Sequence, residues 1–343
     1  MQNSFKPGQQ WFDTDGQLIQ AHGGSVLYHN GTFFWYGENK EKTNGENGIW
    51  HNGVKCYSSS DLYNWKNEGI ILEPDYDNLN NPLHPTRIMD RPHILYHSDR
   101  RQFVMWVKFA GTTQHPDDWR VQYMGVAVSA SITEPFHLIH TLKPLGMNSG
   151  DFDLYKNPVD GKAYIIFGRV HTEVIIADLS EDYTSLNGYY SAHFPRSGPP
   201  FAREAPAMFR RNHRFYLLTS GTTGFQPNPT EAASAQLIHG PWIELGEVCR
   251  EDKQKDSFNC QFSSVFQHPH KQDLYIALGD RWMDGAVILP GQPIRWNTSI
   301  SGYAWLPIRF DGDRPIIEWR DEWSLDEFEE RTEPLPWWET PAT

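Results

Sequence analysis

Five short stretches of this chain each open on a polar side chain and then turn apolar. The five openers are His22, Asp90, Asp151, Glu204 and Gln261. Three are carboxylates, one is an imidazole and one is an amide. Brought together, such a set can do proton-transfer chemistry. Clustered carboxyl groups push each other's pKa values apart, so that one stays protonated as an acid while another stays charged. Glu204 is the acid candidate. It precedes Ala-Pro in "REAPAMF", and an apolar setting that includes Phe209 favours its protonated form. Arg203 would oppose this, although neighbours along a strand face opposite sides. Asp151 is the charged partner that would hold the acid and raise its pKa by like-charge repulsion.

Such residues converge only if something positions them. The stretches are HGGSVLYHNGTFFWYGE, DRPHILYHSDRRQFVMWVK, DFDLYKNPVDGKAYIIFGR, EAPAMFRRNHRFYLLTSG and QFSSVFQHPHKQDLYIALGDRW. Each reads as a strand, a polar turn and a second strand rich in aromatics. Their lead residues are 68, 61, 53 and 57 positions apart. Further strand-like pieces lie between them, such as VKCYSSS, MGVAVSAS, EVIIADLS and EAASAQLI, and YAWLPIRFD with PIIEWR lies near the end. A period of this length with about four strands per unit predicts an all-β, five-bladed β-propeller with four-stranded antiparallel blades. One such domain would span residues 1–343, with blades starting near 22, 90, 151, 204 and 261. The segment before Gly16 or the tail after Trp323 would close the ring. In a propeller the innermost strands line the axis, so the five lead residues meet at one mouth.

Composition narrows the partners. The net charge is −13, which argues against nucleic acid or an anionic membrane surface. No window reaches the roughly 20 apolar residues of a membrane span. The start, MQNSFKPGQQW, lacks a basic-then-apolar pattern, which predicts a cytoplasmic address. Cys56, Cys249 and Cys260 have no metal-type spacing and leave one thiol unpaired in any disulfide scheme, consistent with a reducing compartment. Nothing specifies an oligomeric state. Aromatics make up 14% of the chain, 14 of them Trp, and suit either inter-sheet packing or stacking on sugar rings.

Cleaving a glycosidic bond needs one carboxylic acid to protonate the leaving oxygen and a second group to activate water or attack the sugar carbon. The ring meets that need. The order Asp151, Glu204, Gln261 on five repeats resembles glycoside hydrolase family 43, most of all its exo-β-1,3-galactanase branch. The stretches that carry the resemblance are "AHGG", "WYGENK", "DRPHILYH", "SGDFDLYKNPVDGKAY", "REAPAMF", "LLTSGTTG", "CQFSSVF" and "LGDRW". The resemblance implies an inverting mechanism, with Glu204 as general acid and Asp151 as its pKa modulator. Most of the family takes its base from a first-blade aspartate; His22 stands there in this chain. In the galactanase-like branch, a glutamine at the position of Gln261 orients the water. Asp90 stands where that branch carries a glutamate and offers a conventional base.

Glu38 resembles a sugar-hydroxyl ligand. Trp282, and Trp35 or Tyr36, are candidate stacking platforms, and Arg281 is a candidate to bind hydroxyls or to pair with an acidic neighbour. The substrate implied is an oligosaccharide with a terminal galactose-type sugar, with galactofuranosides or arabinofuranosides as the runner-up. No cofactor is required. The family often holds a calcium ion in its central channel near a last-blade histidine, but here that neighbourhood is Gln261-Phe262 and no metal is expected. His93 and His97 read as structural. A sugar-binding propeller without turnover is the competitor from another class, kept in play by His22. A phosphorylase would need a basic cluster, for which Arg91, Arg203 and Arg281 are available. The segments Lys40–Val54 and Asp118–Tyr123 are where specificity is expected to be built.

Overall fold

The computed structural model describes residues 1–157 and 160–332. The turn foreseen in NPVDGK therefore lies partly outside the described residues. Five antiparallel sheets form a ring, a five-bladed β-propeller. Blade 1 runs through His22–His29, Thr32–Glu38, Val54–Ser59 and Lys66–Leu72. Blade 2 runs through Ile88–His97, Gln102–Ala110, Gln122–Ser129 and His137–Leu142. Blade 3 is built from Ser149–Lys156, Ala163–Arg169, Glu173–Leu179 and Leu186–His193. Blade 4 has Arg203–Arg211, Arg214–Gly221, Glu231–Ala235 and Ile243–Glu247. Blade 5 has Gln261–Gln267, Tyr275–Arg281, Gly302–Asp311 and Arg314–Glu318, with Cys249–Arg250 added in parallel at its outer edge.

Local chemistry explains the hairpins. Asn30 and Gly31 join the first two strands of blade 1, both at positive φ (48° and 79°). That is the two-residue turn whose twist matches its strands, and Asn-Gly supplies it most readily. Apolar side chains on both faces of each sheet then pack against the neighbouring blades. Five buried clusters result, one for each seam of the ring. Trp35, expected as a stacking platform, lies in the seam between blades 1 and 5, edge-on to Trp65, Tyr303 and Trp305. Tyr36 points into the seam between blades 1 and 2, where its hydroxyl accepts a hydrogen bond from the Ile94 amide at 3.0 Å. Neither ring reaches the mouth. Alternation along one strand sends the two to opposite seams.

The ring closes differently from the sequence expectation. Blade 5 takes its four antiparallel strands from one stretch of chain, and among the described residues neither terminus supplies a strand to it. Phe5 and Trp323 instead exchange backbone hydrogen bonds (2.8 and 3.1 Å), and their rings stack at 4.3 Å. Both termini thus seal the seam between blades 5 and 1 from outside. Inside, Ser25 Oγ meets Ser264 Oγ at 2.6 Å, and Tyr303 Oη accepts the Ala21 amide at 2.9 Å. No described helix is long and apolar enough to cross a membrane. The three cysteines are free.

Candidate active site

The innermost strand of every blade carries a register break beside its lead residue. The breaks fall between His22 and Ser25, Asp90 and His93, Glu204 and Ala207, and Phe262 and Ser264, and opposite Phe167–Arg169 in blade 3. In three blades the residue after the lead has positive φ: Gly23 (60°), Arg91 (53°) and Ala205 (45°). A bulge bends its strand and re-aims a side chain. Here bulges recur at the mouth end, which holds a cavity of about 600 Å³. Asp90, Asp151, Glu204 and Gln261 line it, as do Glu38, Arg203 and Trp282.

Glu204 holds its proton more tightly than the other lead carboxyls. Burial, and then the charge on Asp151, push its carboxyl up to about 8. Gln261 Nε2 donates to Glu204 Oε1 at 3.3 Å and to Ser220 Oγ at 3.1 Å. Gln261 Oε1 accepts from Arg91 Nη2 at 2.5 Å, so the amide orientation is fixed from both ends. Phe209, expected to surround the acid, instead packs with Tyr216 and Tyr275 in the seam between blades 4 and 5. Arg203 turns toward its own blade, donating to Thr219 and facing Glu231 at 3.4 Å.

Asp151 is the opposite case. Burial alone would raise its pKa, but Arg91 at 3.1 Å and Lys108 at 2.5 Å outweigh burial and hold it well below the usual carboxylate range. Asp90 is also held low against burial, chiefly by Lys108 and then Lys40. Both its oxygens are engaged: Oδ1 accepts the Trp50 indole N–H at 2.6 Å, and Oδ2 pairs with Lys108 at 3.0 Å. A carboxylate so occupied is a weak base. Glu38 differs again. Burial pushes it up to about 7 against the pull of Lys40, which pairs with it at 2.8 Å.

Besides Trp35 and Tyr36, two more expected site residues do not face this cavity. His22 is fully buried beneath it. Its Nδ1 lies 3.2 Å from Asp280 Oδ1, its Nε2 lies 3.2 Å from Tyr303 Oη, and its ring stacks on Tyr303. A bulged strand aims its neighbours elsewhere, so a lead position does not guarantee a mouth position. Arg281 pairs with Asp284 at 3.0 Å, donates to the Phe258 carbonyl and lies over Trp319, away from the pocket.

Most of the residues that complete the site were not singled out from sequence; Glu38 and Trp282 are the exceptions. Lead residues on adjacent, paired strands face a partner: His22 pairs with Glu38, Asp90 with Lys108, Glu204 with Ser220 and Gln261 with Asp280. Counting forward along the second strand from its turn to the position opposite the lead residue would have found Lys108. The walls come from the connection between the second and third strands of each blade. They supply Trp50, Trp119, Phe225, Trp282 and Trp296, with Phe225 packed on Trp50, Trp282 and Trp296 at 6.0, 5.3 and 5.0 Å. Trp50 and Trp119 lie in the two segments expected to build specificity. Blade 3 is the exception. Residues 170–172 suffice there, and they bring only Val170 and His171 to the rim.

Among the described residues no group of three His, Cys, Asp or Glu could hold a metal ion. Asp153 accepts the Leu154 and Met208 amides at 2.8 and 2.7 Å and faces His93 at 3.2 Å. Burial leaves both uncharged, pushing Asp153 up to about 8 and His93 down to about 3. His97 is structural too, its Nε2 meeting the Glu181 carbonyl at 2.6 Å.

The family pattern for glycosyl hydrolases family 43 matches residues 10–285. Comparison with curated proteins gives no match. Among solved structures, the fold is similar to a family 43 β-1,3-galactosidase at 30% identity and TM-score 0.82, covering 95% of this chain and 65% of that one. It is also similar to a family 43 β-1,3-galactosidase with galactodeoxynojirimycin (28% identity, TM-score 0.80, 93% of this chain and 100% of that one). A third is an exo-β-1,3-galactanase from Phanerochaete chrysosporium with β-1,3-galactotriose (26%, TM-score 0.79, 94% and 68%). The chain thus spans about two-thirds of the length of the first and third of these proteins. The match over most of the chain, the five blades and the cluster of carboxyl groups at their mouth agree: this protein belongs to glycosyl hydrolases family 43.

Proposed function

We propose that the protein is an inverting exo-glycoside hydrolase that releases a terminal galactose-type sugar from β-1,3-linked galacto-oligosaccharides. The observation that carries this is the pairing of opposite protonation states at one mouth: Glu204 pushed up to about 8 and Asp151 held low. Glu204 gives its proton to the leaving glycosidic oxygen while a water attacks the sugar carbon from the other face and loses a proton to solvent, so the anomeric centre inverts. Gln261 orients that water, since its amide is pinned by Arg91 and Ser220. Asp90, with both oxygens occupied, is the weaker candidate for that task. Glu38, pushed up to about 7 by burial, offers a sugar-hydroxyl partner.

Aromatic walls on four sides support exo action. They leave the low rim of blade 3, beside Asp151, as the exit for the rest of the chain. The galactose-type sugar rests on the galactosidase and galactanase neighbours. With His22 buried beneath the pocket, the feature that favoured a binding-only propeller bears less on the site.

The test is turnover of β-1,3-galactobiose and of galactofuranosyl and arabinofuranosyl aryl glycosides by wild type and Glu204→Gln, with the product anomer followed by proton NMR. Release of galactose from galactobiose with inversion, lost in the variant, supports the reading. Turnover of a furanoside alone makes the protein a furanosidase. Sugar binding without turnover, unaffected by the variant, makes it a binding protein. A requirement for phosphate makes it a phosphorylase.

A further inference from the structure

Asp151 lacks what the other carboxylates of the ring possess. Asp90 faces Lys108 across its own blade, and Glu204 faces Ser220. In blade 3 the register breaks between Phe167 and Arg169, and the residue there is Gly168, which has no side chain to offer. The partner comes from the next blade instead. Lys108 Nζ lies 2.5 Å from Asp151 Oδ1 and 3.0 Å from Asp90 Oδ2. The side chain is buried, and its ammonium lies 5.4 Å from the centre of the Trp119 ring. One cation therefore spans two carboxylates on two blades, at the floor of the pocket.

We propose that Lys108 is a positioning residue for the reaction, its ammonium tying Asp151 of blade 3 to Asp90 of blade 2 and so aiming the Asp151 carboxylate at Glu204. This rests on the hydrolase reading above. Arg91 holds the other oxygen of Asp151 at 3.1 Å but is shared, since its Nη2 also serves Gln261 and its amide serves Glu38. Lys108 is committed to the two aspartates. The other charged or titratable groups that act on Asp151 and Glu204 are Arg91, Asp90 and His93 from blade 2, His171 from blade 3 and Arg203 from blade 4. Without Lys108, two buried carboxylates would face each other with one shared guanidinium, and one of them would take up its proton at a higher pH than in wild type. Below that pH a protonated Asp151 no longer raises Glu204.

The experiment is the pH profile of kcat/KM for wild type, Lys108→Met and Lys108→Arg on whichever glycoside the wild type cleaves. Lys108→Met should move the acidic limb up by about one pH unit or more, because a neighbouring opposite charge is worth that much to a carboxylate. The basic limb should rise too, since Lys108 lowers Glu204. Lys108→Arg keeps the charge and should leave both limbs in place while reducing kcat. A purely structural lysine would give a lower melting temperature and lower kcat with unmoved limbs, and that result overturns the proposal. If Lys108→Met does not fold, Lys108→Met combined with Asp90→Asn removes one charge of each sign and should give a smaller upward shift of the same limb. A carbon-13 titration of the side-chain carboxyls reads Asp151 directly, with or without turnover. An Asp151 titration unchanged in the variants sinks the inference alone; a wild type inactive on every glycoside sinks only the hydrolase reading.

Discussion

Blade 3 and blade 5 face each other across one pocket and treat it in opposite ways. Blade 5 spends residues 282–301 between its second and third strands, building a small hairpin (Ala286–Val287 with Arg295–Trp296) that presents Trp296 to the cavity. That insert leans on blade 1 through Arg295 and Glu46, and through the Gln20 side-chain amide, which donates to the Ser299 carbonyl at 2.8 Å. Blade 3 makes the same crossing with residues 170–172 and leaves Gly168 where other blades carry a side chain. The blade with the least wall holds the most strongly charged carboxylate, Asp151, and borrows its cations from blade 2. A long connection can build a wall from apolar rings. A short one leaves an open, polar rim, and the charge there must be balanced from next door.

The contrast can be broken first at the chemistry. Glu204→Gln or Asp151→Asn should lower kcat by about 10²–10⁴-fold, the usual worth of a positioned proton donor. For Glu204→Gln the limb of the profile near pH 8 should vanish, because the group that titrates there is gone. Stopped assays on the cleaved glycoside measure both.

Closing the gap is the next largest change. His171→Trp would give blade 3 an aromatic wall like those of its neighbours. It should reduce kcat/KM on tri- and disaccharides by about tenfold, roughly the 1.4 kcal/mol of one lost contact set. Aryl glycosides with small leaving groups should change less. Equal losses on both would show that the chain does not leave over blade 3. Opening the opposite wall with Trp296→Ala should raise KM several-fold, the worth of roughly 1 kcal/mol of aromatic contact, and leave kcat nearly unchanged.

Stability should carry the mark of the uncharged carboxyls. Glu204 and Asp153 sit at about 8 and Glu38 at about 7, all above their unfolded values. Above about pH 7 the buried His51, His93 and His268, pushed down to about 3, are neutral in both states, so the carboxyls decide: the folded state binds more protons than the unfolded one and stability falls as pH rises. The melting temperature should drop between pH 7 and pH 9, and Glu204→Gln should flatten that slope. The smallest effect is expected at the Arg295–Glu46 pair between blades 5 and 1. Both side chains are substantially exposed (39% and 61%), so Glu46→Ala should cost under about 1 kcal/mol, read as a melting shift of a few degrees at most.

Much of this was legible in the chain. Strand-turn-strand units recur because each blade must bury both faces against two neighbours, and that demand writes the same pattern five times. The lead carboxylates Asp151 and Glu204 could be found because a repeat puts equivalent positions at one end of the ring. Trp35 and Tyr36 misled because aromatics serve the seams as readily as the mouth, and alternation alone does not tell one from the other. His22 misled because a bulge turns its strand: the register break at Gly23–Gly24 sends the imidazole down to Asp280 rather than out to solvent. Lys108 escaped notice because its role depends on a register partner in its own blade and a glycine in the next.

The sequence by itself determined the five units, their antiparallel hairpins and the residue types gathered at the axis, since short-range alternation and turn chemistry depend on neighbours along the chain. Only the tertiary structure decided which of those residues reach the pocket, which carboxyl keeps its proton and where the wall opens. Those outcomes follow from burial and from charges a few ångströms away on other blades, and residues far apart in the chain become neighbours only when the ring closes.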